Sequence, residues 1–273
     1  MGILNVTPDS FSDGGSYFSV EDAVERASTM IGEGASIIDV GGASSRPAGK
    51  SYGAGAGRVS VDEEIKRIEP VISQINKSFP DIIISVDTFE PEVAQIAVAS
   101  GADMVNDITG MHYSRSMAQV VADSGAAIVL MHSHGTPGQM PHEQNHDDVL
   151  EDVREGLISS LSIAYDHDIH NICIDPGFGF GKTMDENFSL LNRLGELLGF
   201  GLPLLAGISR KTMIGAAVGT ADEPLPHEDR VVGSVVAAAA AVLAGASIIR
   251  THDVVETIQM LKVLTATETE RLV

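Results

Sequence analysis

Cysteine is nearly missing from the chain: Cys173 is the only one in 273 residues. That excludes an intramolecular disulfide framework and a zinc site built on several cysteines, and a reducing, cytoplasmic setting is expected. Basic residues are scarce too, with 17 Lys and Arg against 38 Asp and Glu and a net charge of −21. Neither nucleic acid nor an anionic membrane is then expected as the main partner, since the overall field repels polyanions. An anionic ligand would need a local positive field. Long apolar runs are also lacking. The longest, residues 235–246, is mostly alanine and falls short of the roughly 18 residues that span a bilayer. The opening MGILNVTPDS has no basic region and no cleavage pattern, so no secretory leader is expected there.

What is present suffices for a large core. Apolar residues make up 44% and charged residues 20%, which excludes general disorder. At about 150 residues per domain the length suggests two domains, yet single α/β barrels run to about 250. No linker or composition shift divides the chain, so one domain over residues 1–273 is expected.

Short β-branched apolar runs recur at residues 2–6, 36–40, 82–86, 104–108, 127–131, 171–174, 204–208 and 247–249. Amphipathic stretches alternate with them, at 20–33, 61–77, 91–100, 114–123, 147–166, 185–198, 229–243 and 254–265. Ser19 and Ser60 stand where helix caps belong. Gly34, Gly101, Gly125 and Gly245 stand where helices end in a left-handed residue. Strands alternating with helices imply a parallel sheet, and eight units most economically close into a (β/α)8 barrel. A doubly wound open sheet is the alternative.

In a barrel the C-terminal strand ends face the active site. Here they read Asn5, Asp39, Asp87, Asn106-Asp107, His132, Asp175, Ser209-Arg210-Lys211 and Arg250-Thr251-His252. Any one of these could merely cap a helix. Eight apolar strands each ending in a polar side chain point instead to one convergent pocket. Asp87, Asn106 and Asp175 suit a flat heterocycle edged with N–H donors and ring nitrogens. Arg250 and His252 end the eighth strand, where barrels often hold phosphate, just before a helix starting at Asp253 or Val254. Lys211 and Arg210 add positive charge on the same side.

Several strings mimic motifs without their context. His142-Glu143-Gln144-Asn145-His146 matches the zinc-protease spacing, but Pro141 precedes it and Asn145-His146-Asp147 reads as a loop leading into a cap. The string from Asp175 to Thr183 resembles a phosphate-binding loop with Pro176 where its first glycine belongs. His134 reads as hydrogen-bonded structure and Cys173 as buried and inert. Met104, Met111, Met117 and Met131 read as core or pocket wall.

Together the strings resemble the dihydropteroate synthases. They are Asn5-Val6-Thr7-Pro8-Asp9-Ser10-Phe11-Ser12-Asp13, Asp39-Val40-Gly41-Gly42, Ser45-Arg46-Pro47, Ser85-Val86-Asp87-Thr88, Asn106-Asp107, the run from Asp175 to Lys182, Ser209-Arg210-Lys211 and Arg250-Thr251-His252-Asp253. The resemblance covers the chain to about its last helix, in family order. It implies a transferase of folate biosynthesis that joins p-aminobenzoate to 6-hydroxymethyl-7,8-dihydropterin diphosphate, releasing pyrophosphate, with Mg2+ assisting. Carried over, Asp87, Asn106, Asp175 and Lys211 would hold the pterin, with Ser209 lining that pocket. Asn5, Arg250 and His252 would hold the diphosphate, Asn5 also positioning the metal. Ser45, Arg46, Pro47 and Phe180 would shape the p-aminobenzoate side, and Phe11 and Asp13 would close over it. The partners implied are small molecules and a second copy in a homodimer.

Two departures fall at the p-aminobenzoate end. Ala43 and Ser45 stand where many members have a carboxylate and a threonine, and residues 48–58 make a long, glycine-rich loop. Altered arylamine affinity or sulfonamide sensitivity is expected. Two other readings stay open. One is a methyltransferase acting on a folate and a corrinoid partner, which leaves the Asn5 loop and the Arg250/His252 pair unexplained. The other is a pterin-binding paralogue without turnover.

Overall fold

Branched apolar residues pair strand to strand in chain order in the computed structural model, which describes residues 1–7, 19–43, 59–135, 146–220 and 222–269. Strands β1 (Gly2–Asn5), β2 (Ile37–Gly41), β3 (Ile83–Asp87), β4 (Met104–Asp107), β5 (Ala127–Met131) and β6 (Ile172–Asp175) form one parallel sheet. Strands β7 (Leu205–Ala206) and β8 (Ile248–Ile249) form a second. Parallel bridges join the two at both seams, Ile174 to Leu204 and Gly2 to Thr251. Backbone hydrogen bonds reinforce them: Ile174 N–H donates to Pro203 at 2.9 Å and Ile3 N–H to Thr251 at 3.0 Å. The strands therefore follow one another around a ring, the (β/α)8 barrel.

Side chains alternate between the two faces of each strand. Those turned outward, among them Ile38, Val40, Ile84, Val86, Ile128 and Ile174, are fully buried under the helices and belong to one core running from Leu4 to Val254. Each contributes about 1.5–3 kcal/mol of burial. Those turned inward at the lower end, Met104, Val129, Cys173 and Leu205, form a separate apolar floor. Burial pushes the Cys173 thiol up to about 12, so it stays inert there. Met104, Met111, Met117 and Met131 are all buried, as expected.

The outer helices are α1 (Val20–Glu33), α2 (Val61–Ser78), α3 (Pro91–Ala99), α4 (Ser116–Ser124), α5 (Val149–Asp166), α6 (Met184–Asn192), α7 (Thr212–Val218), α8 (Val231–Leu243) and α9 (Val254–Thr269). Ser19 caps α1 by accepting from Asp22 N–H at 3.1 Å, and Ser60 caps α2 from Glu63 N–H at 3.3 Å. The four expected glycine terminators all have positive φ.

Two features differ from the expected eight-by-eight count. Helix α7 is an additional helix after β7, too short to show a hydrophobic period. Its Gly215 lies where a Cβ would stand 2.5 Å from the Arg230 guanidinium, so glycine there reflects close packing. The stretch expected at 185–198 breaks at Arg193 into a 3-10 turn, Leu194–Phe200. Gly195 and Gly199 weaken a helix there.

Candidate active site

Register sets the ends of β1 to β4 level, and Asp175, paired with Met131, stands two residues further along β6. Asn5 lies beside Gly41, Gly41 beside Asp87, and Asp87 beside Asn106. Two-residue periodicity then seats Asn106 above Met104 and Asp175 above Cys173, so the polar layer rests on the apolar floor. Asp39 is not at its strand end, because β2 continues to Gly41; it lies one layer lower and is fully buried.

Arg250 reaches across this layer. Its Nε donates to Asp39 Oδ2 at 2.6 Å and its Nη2 to Asp87 Oδ2 at 2.6 Å, while Asn106 Nδ2 donates to Asp39 Oδ2 at 3.2 Å. The resemblance put Arg250 with the diphosphate; its guanidinium stands between Asp39 and Asp87. Burial raises Asp87 to about 6, with Arg250 pulling it back and Asp39 adding to the rise. Burial also raises Asp175, opposed chiefly by Lys211. Burial lowers Lys211 to about 8, with Asp175 holding the proton on. The three groups are thus mutually dependent, each charge tolerated because of its neighbour.

Lys211 Nζ donates to Phe178 O and lies 4.4 Å from the centre of the Phe180 ring, a cation–π contact. Phe180 therefore borders the pterin-end lysine. Asp175 Oδ1 accepts from Gly177 N–H at 2.7 Å, which folds the loop back over the strand end. Gly177 has φ 70°, and a Cβ there would lie 1.9 Å from His132 O. Gly177→Ala is expected to lower stability by at least about 2 kcal/mol, since backbone must move to admit the methyl group. A urea midpoint equal to that of the unsubstituted chain would show that the turn relaxes freely.

Lys182 supplies no phosphate clamp. Its ammonium donates to Gly177 O at 3.0 Å, Phe180 O at 3.1 Å and His132 Nδ1 at 3.1 Å, so its three hydrogens hold the loop that carries Phe180. Burial lowers His132 to about 4, and it stays neutral. The strand-end list gave His132 no partner, because only the fold brings Lys182 to it.

At the opposite rim, Ser209 Oγ accepts from His252 N–H at 3.1 Å and lies 3.0 Å from His252 Nδ1. The serine hydrogen can meet Nδ1, which fixes the orientation of the ring. Ser209 is thus a support for His252. Arg210 pairs with the buried Asp253 through Nε at 2.9 Å, so its charge is neutralised before it reaches the pocket. Asp107 is likewise structural, accepting from Thr109 and Met111 N–H at 2.8 Å each. Phe11, Asp13, Ser45, Arg46 and Pro47 lie outside the described residues, as does His142 of the zinc-like string.

Residues 1–252 match the family described as "Pterin binding enzyme". The chain is 44% identical to dihydropteroate synthase of Escherichia coli K12 over 98% of its own length and 90% of that protein. It is similar to the solved structure of Xanthomonas albilineans dihydropteroate synthase with 4-aminobenzoic acid, with a TM-score of 0.87, 42% identity, and coverage of 98% of this chain and 92% of that one. The same organism's enzyme in complex with 7,8-dihydropteroate gives a TM-score of 0.83 at 39% identity, with the same coverage. A barrel rim with paired carboxylates, an amide and a lysine over an apolar floor agrees with these likenesses: the chain belongs to the pterin-binding enzymes and, among them, to the dihydropteroate synthases.

Proposed function

We propose that the chain condenses p-aminobenzoate with 6-hydroxymethyl-7,8-dihydropterin diphosphate to give 7,8-dihydropteroate and pyrophosphate. The observation that carries this reading is the cluster of Asp87, Asn106, Asp175 and Lys211 beside an apolar floor, which offers a flat heterocycle both acceptors and donors. Asp87 and Asp175 accept from the ring N–H groups, and Asn106 and Lys211 donate to its ring nitrogen and oxygen. His252, Arg250 and the N-terminus of α9 are assigned to the diphosphate.

The C–O bond to diphosphate breaks and its electron pair leaves with pyrophosphate. The carbon left behind is conjugated to the electron-rich ring, and Asp87 and Asp175 stabilise its positive charge. The neutral amine's lone pair forms the C–N bond, and the nitrogen then sheds one proton to pyrophosphate or water. No strong base is needed, so positioning and electrostatics carry the rate. For Mg2+, Asn5 offers a hard, neutral amide oxygen at the end of β1, beside Gly41. One such donor suits an ion held mainly by substrate phosphates and water. Bound there, the ion would neutralise diphosphate charge.

The p-aminobenzoate side is assigned to Ser45, Arg46, Pro47 and Phe180, with Phe11 and Asp13 closing over it. Ala43 is expected to shift sulfonamide inhibition, and an inhibition constant unchanged by Ala43→Glu would rule that out. Residues 1–273 act as one pterin-binding domain in a reducing cytoplasm. No helix among the described residues is long and apolar enough to cross a membrane. Exposed Val232, Val236 and Leu243 on α8 support a homodimer.

Because Lys211 holds its proton only below about pH 8, kcat/KM for the pterin diphosphate is expected to fall above that pH with a one-proton slope. A flat profile to pH 10 would show that Lys211 does not act as a cation. The function itself is tested by product: dihydropteroate should appear only when both substrates and Mg2+ are supplied. Tight pterin binding without amine-dependent product would instead mark a binding protein.

A further inference from the structure

Away from the pterin-end layer, the end of β5, the first turn of α5 and the residue leading into α5 bring three imidazoles to one carboxylate. Asp152 Oδ2 lies 2.7 Å from His134 Nε2, 3.5 Å from His146 Nε2 and 3.2 Å from His132 Nε2. His134 Nε2 and His146 Nε2 are 3.1 Å apart. His132 and His146 side chains are 4% and 7% exposed, whereas His134 and Asp152 open to solvent at 28% and 30%.

Proton counting narrows what this arrangement can hold. Glu186 Oε1 accepts from His146 N–H at 2.8 Å and lies 2.9 Å from His146 Nδ1. A carboxylate only accepts, so Nδ1 carries a hydrogen, and in the neutral imidazole Nε2 presents a lone pair to the cluster. Lys182 donates to His132 Nδ1, so His132 carries its hydrogen on Nε2 and gives it to Asp152. Among the described residues the His134 nitrogen then remains, with at most one hydrogen for two facing acceptors, Asp152 and His146. A cation at the centre satisfies all three donor atoms at once.

We propose that His134 Nε2, His146 Nε2 and Asp152 Oδ2 bind a divalent transition-metal ion of the Zn2+ class, with Glu186 orienting His146 and His132 hydrogen-bonded to Asp152. The spacing is right for it. Donors at about 2.0–2.1 Å from a tetrahedral ion stand roughly 3.3 Å apart, and two imidazole rings on it have centres about 5.2 Å apart. The three donor separations run from 2.7 to 3.5 Å, and the His134 and His146 ring centres are 5.1 Å apart. A carboxylate on the far nitrogen of a ligating histidine is the usual support for such an ion. Two imidazoles disfavour Mg2+, which takes oxygen donors. The ion would tie β5 to the start of α5 and, through Glu186, to α6, beside the loop that Lys182 holds.

The zinc-protease spacing would need His142 and His146 on one helix, and the sequence reads His146 instead as part of a loop leading into a cap. Helix α5 begins only at Val149, and His146 meets His134 from another strand end instead.

The test is titration of the chelator-stripped, full-length chain with Zn2+ against a chromophoric chelator, and with Co2+ read by visible absorption. The expected result is one ion per chain, an intense tetrahedral Co2+ spectrum, no competition by Mg2+, and a higher melting temperature with Zn2+. His134→Gln is expected to lose about a hundredfold or more in affinity and the melting shift, and Glu186→Gln about ten- to a hundredfold. Asp152→Asn, which preserves shape, serves if His134→Gln does not fold. No binding at micromolar Zn2+, or affinity unchanged in the folded variants, would overturn the proposal.

Discussion

Lys211→Ala is expected to lower kcat/KM by about a thousandfold while leaving the circular dichroism spectrum intact. At about 1.4 kcal/mol per decade that is about 4 kcal/mol, the scale of losing a buried, charge-assisted partner. Two losses combine. The pterin loses its cation, and Asp175 loses the neighbour that opposes its burial-driven rise. Asp175 then keeps a proton to higher pH and ceases to accept where acceptance is required. The residual activity should therefore shift its acid limb upward, which a mere packing defect would not do. A tenfold or smaller loss with an unmoved pH profile would remove Lys211 from the site.

Arg250→Met carries the largest expected effect on stability. The guanidinium alone pairs with both Asp39 and Asp87, one of them fully buried. Removing it strands two carboxylates, at a cost of about 3–5 kcal/mol and a melting temperature lower by on the order of 10 °C. The sign with pH follows. Asp87 already titrates above an ordinary carboxylate, at about 6, and without Arg250 it rises further. A carboxyl whose folded pKa is raised costs stability progressively between its unfolded and its folded value. The variant's extra loss therefore accrues only above about pH 6, where Asp87 of the unsubstituted chain has already ionised, and the deficit should be larger at pH 8 than at pH 5. Adding Asp39→Asn should restore part of the loss. A deficit equal at both pH values would show that packing by the long side chain, not charge, is what Arg250 supplies.

The strand ends were legible because alternation and apolar runs are local. Asn5, Asp87, Asn106 and Asp175 each follow a short apolar run, and the shared level of the first three follows from parallel pairing, with Asp175 two residues further along β6. Helix limits at Ser19 and Ser60 were legible for the same reason, since a cap bonds within three residues. Partner choice was not. Nothing in the sequence near Arg210 indicates that Asp253 absorbs its charge, or that Lys182 turns inward to the Gly177 and Phe180 carbonyls. Those contacts span tens of residues and depend on how β6, β7 and β8 sit around the ring. Asp39 was placed one layer too high because Gly41, with no apolar side chain, hides the last residue of β2. Helix α7 escaped because seven residues give scarcely two turns.

The central claim is that the pterin lies on the cluster of Asp87, Asn106, Asp175 and Lys211. Calorimetric titration with 6-hydroxymethylpterin diphosphate, without p-aminobenzoate, tests it most directly, comparing the unsubstituted chain with Asn106→Ala. Loss of the Asn106 donor at a buried edge predicts affinity weaker by about tenfold to a hundredfold, with the fold unchanged. Equal affinity in a folded Asn106→Ala chain would place the pterin elsewhere and contradict the account.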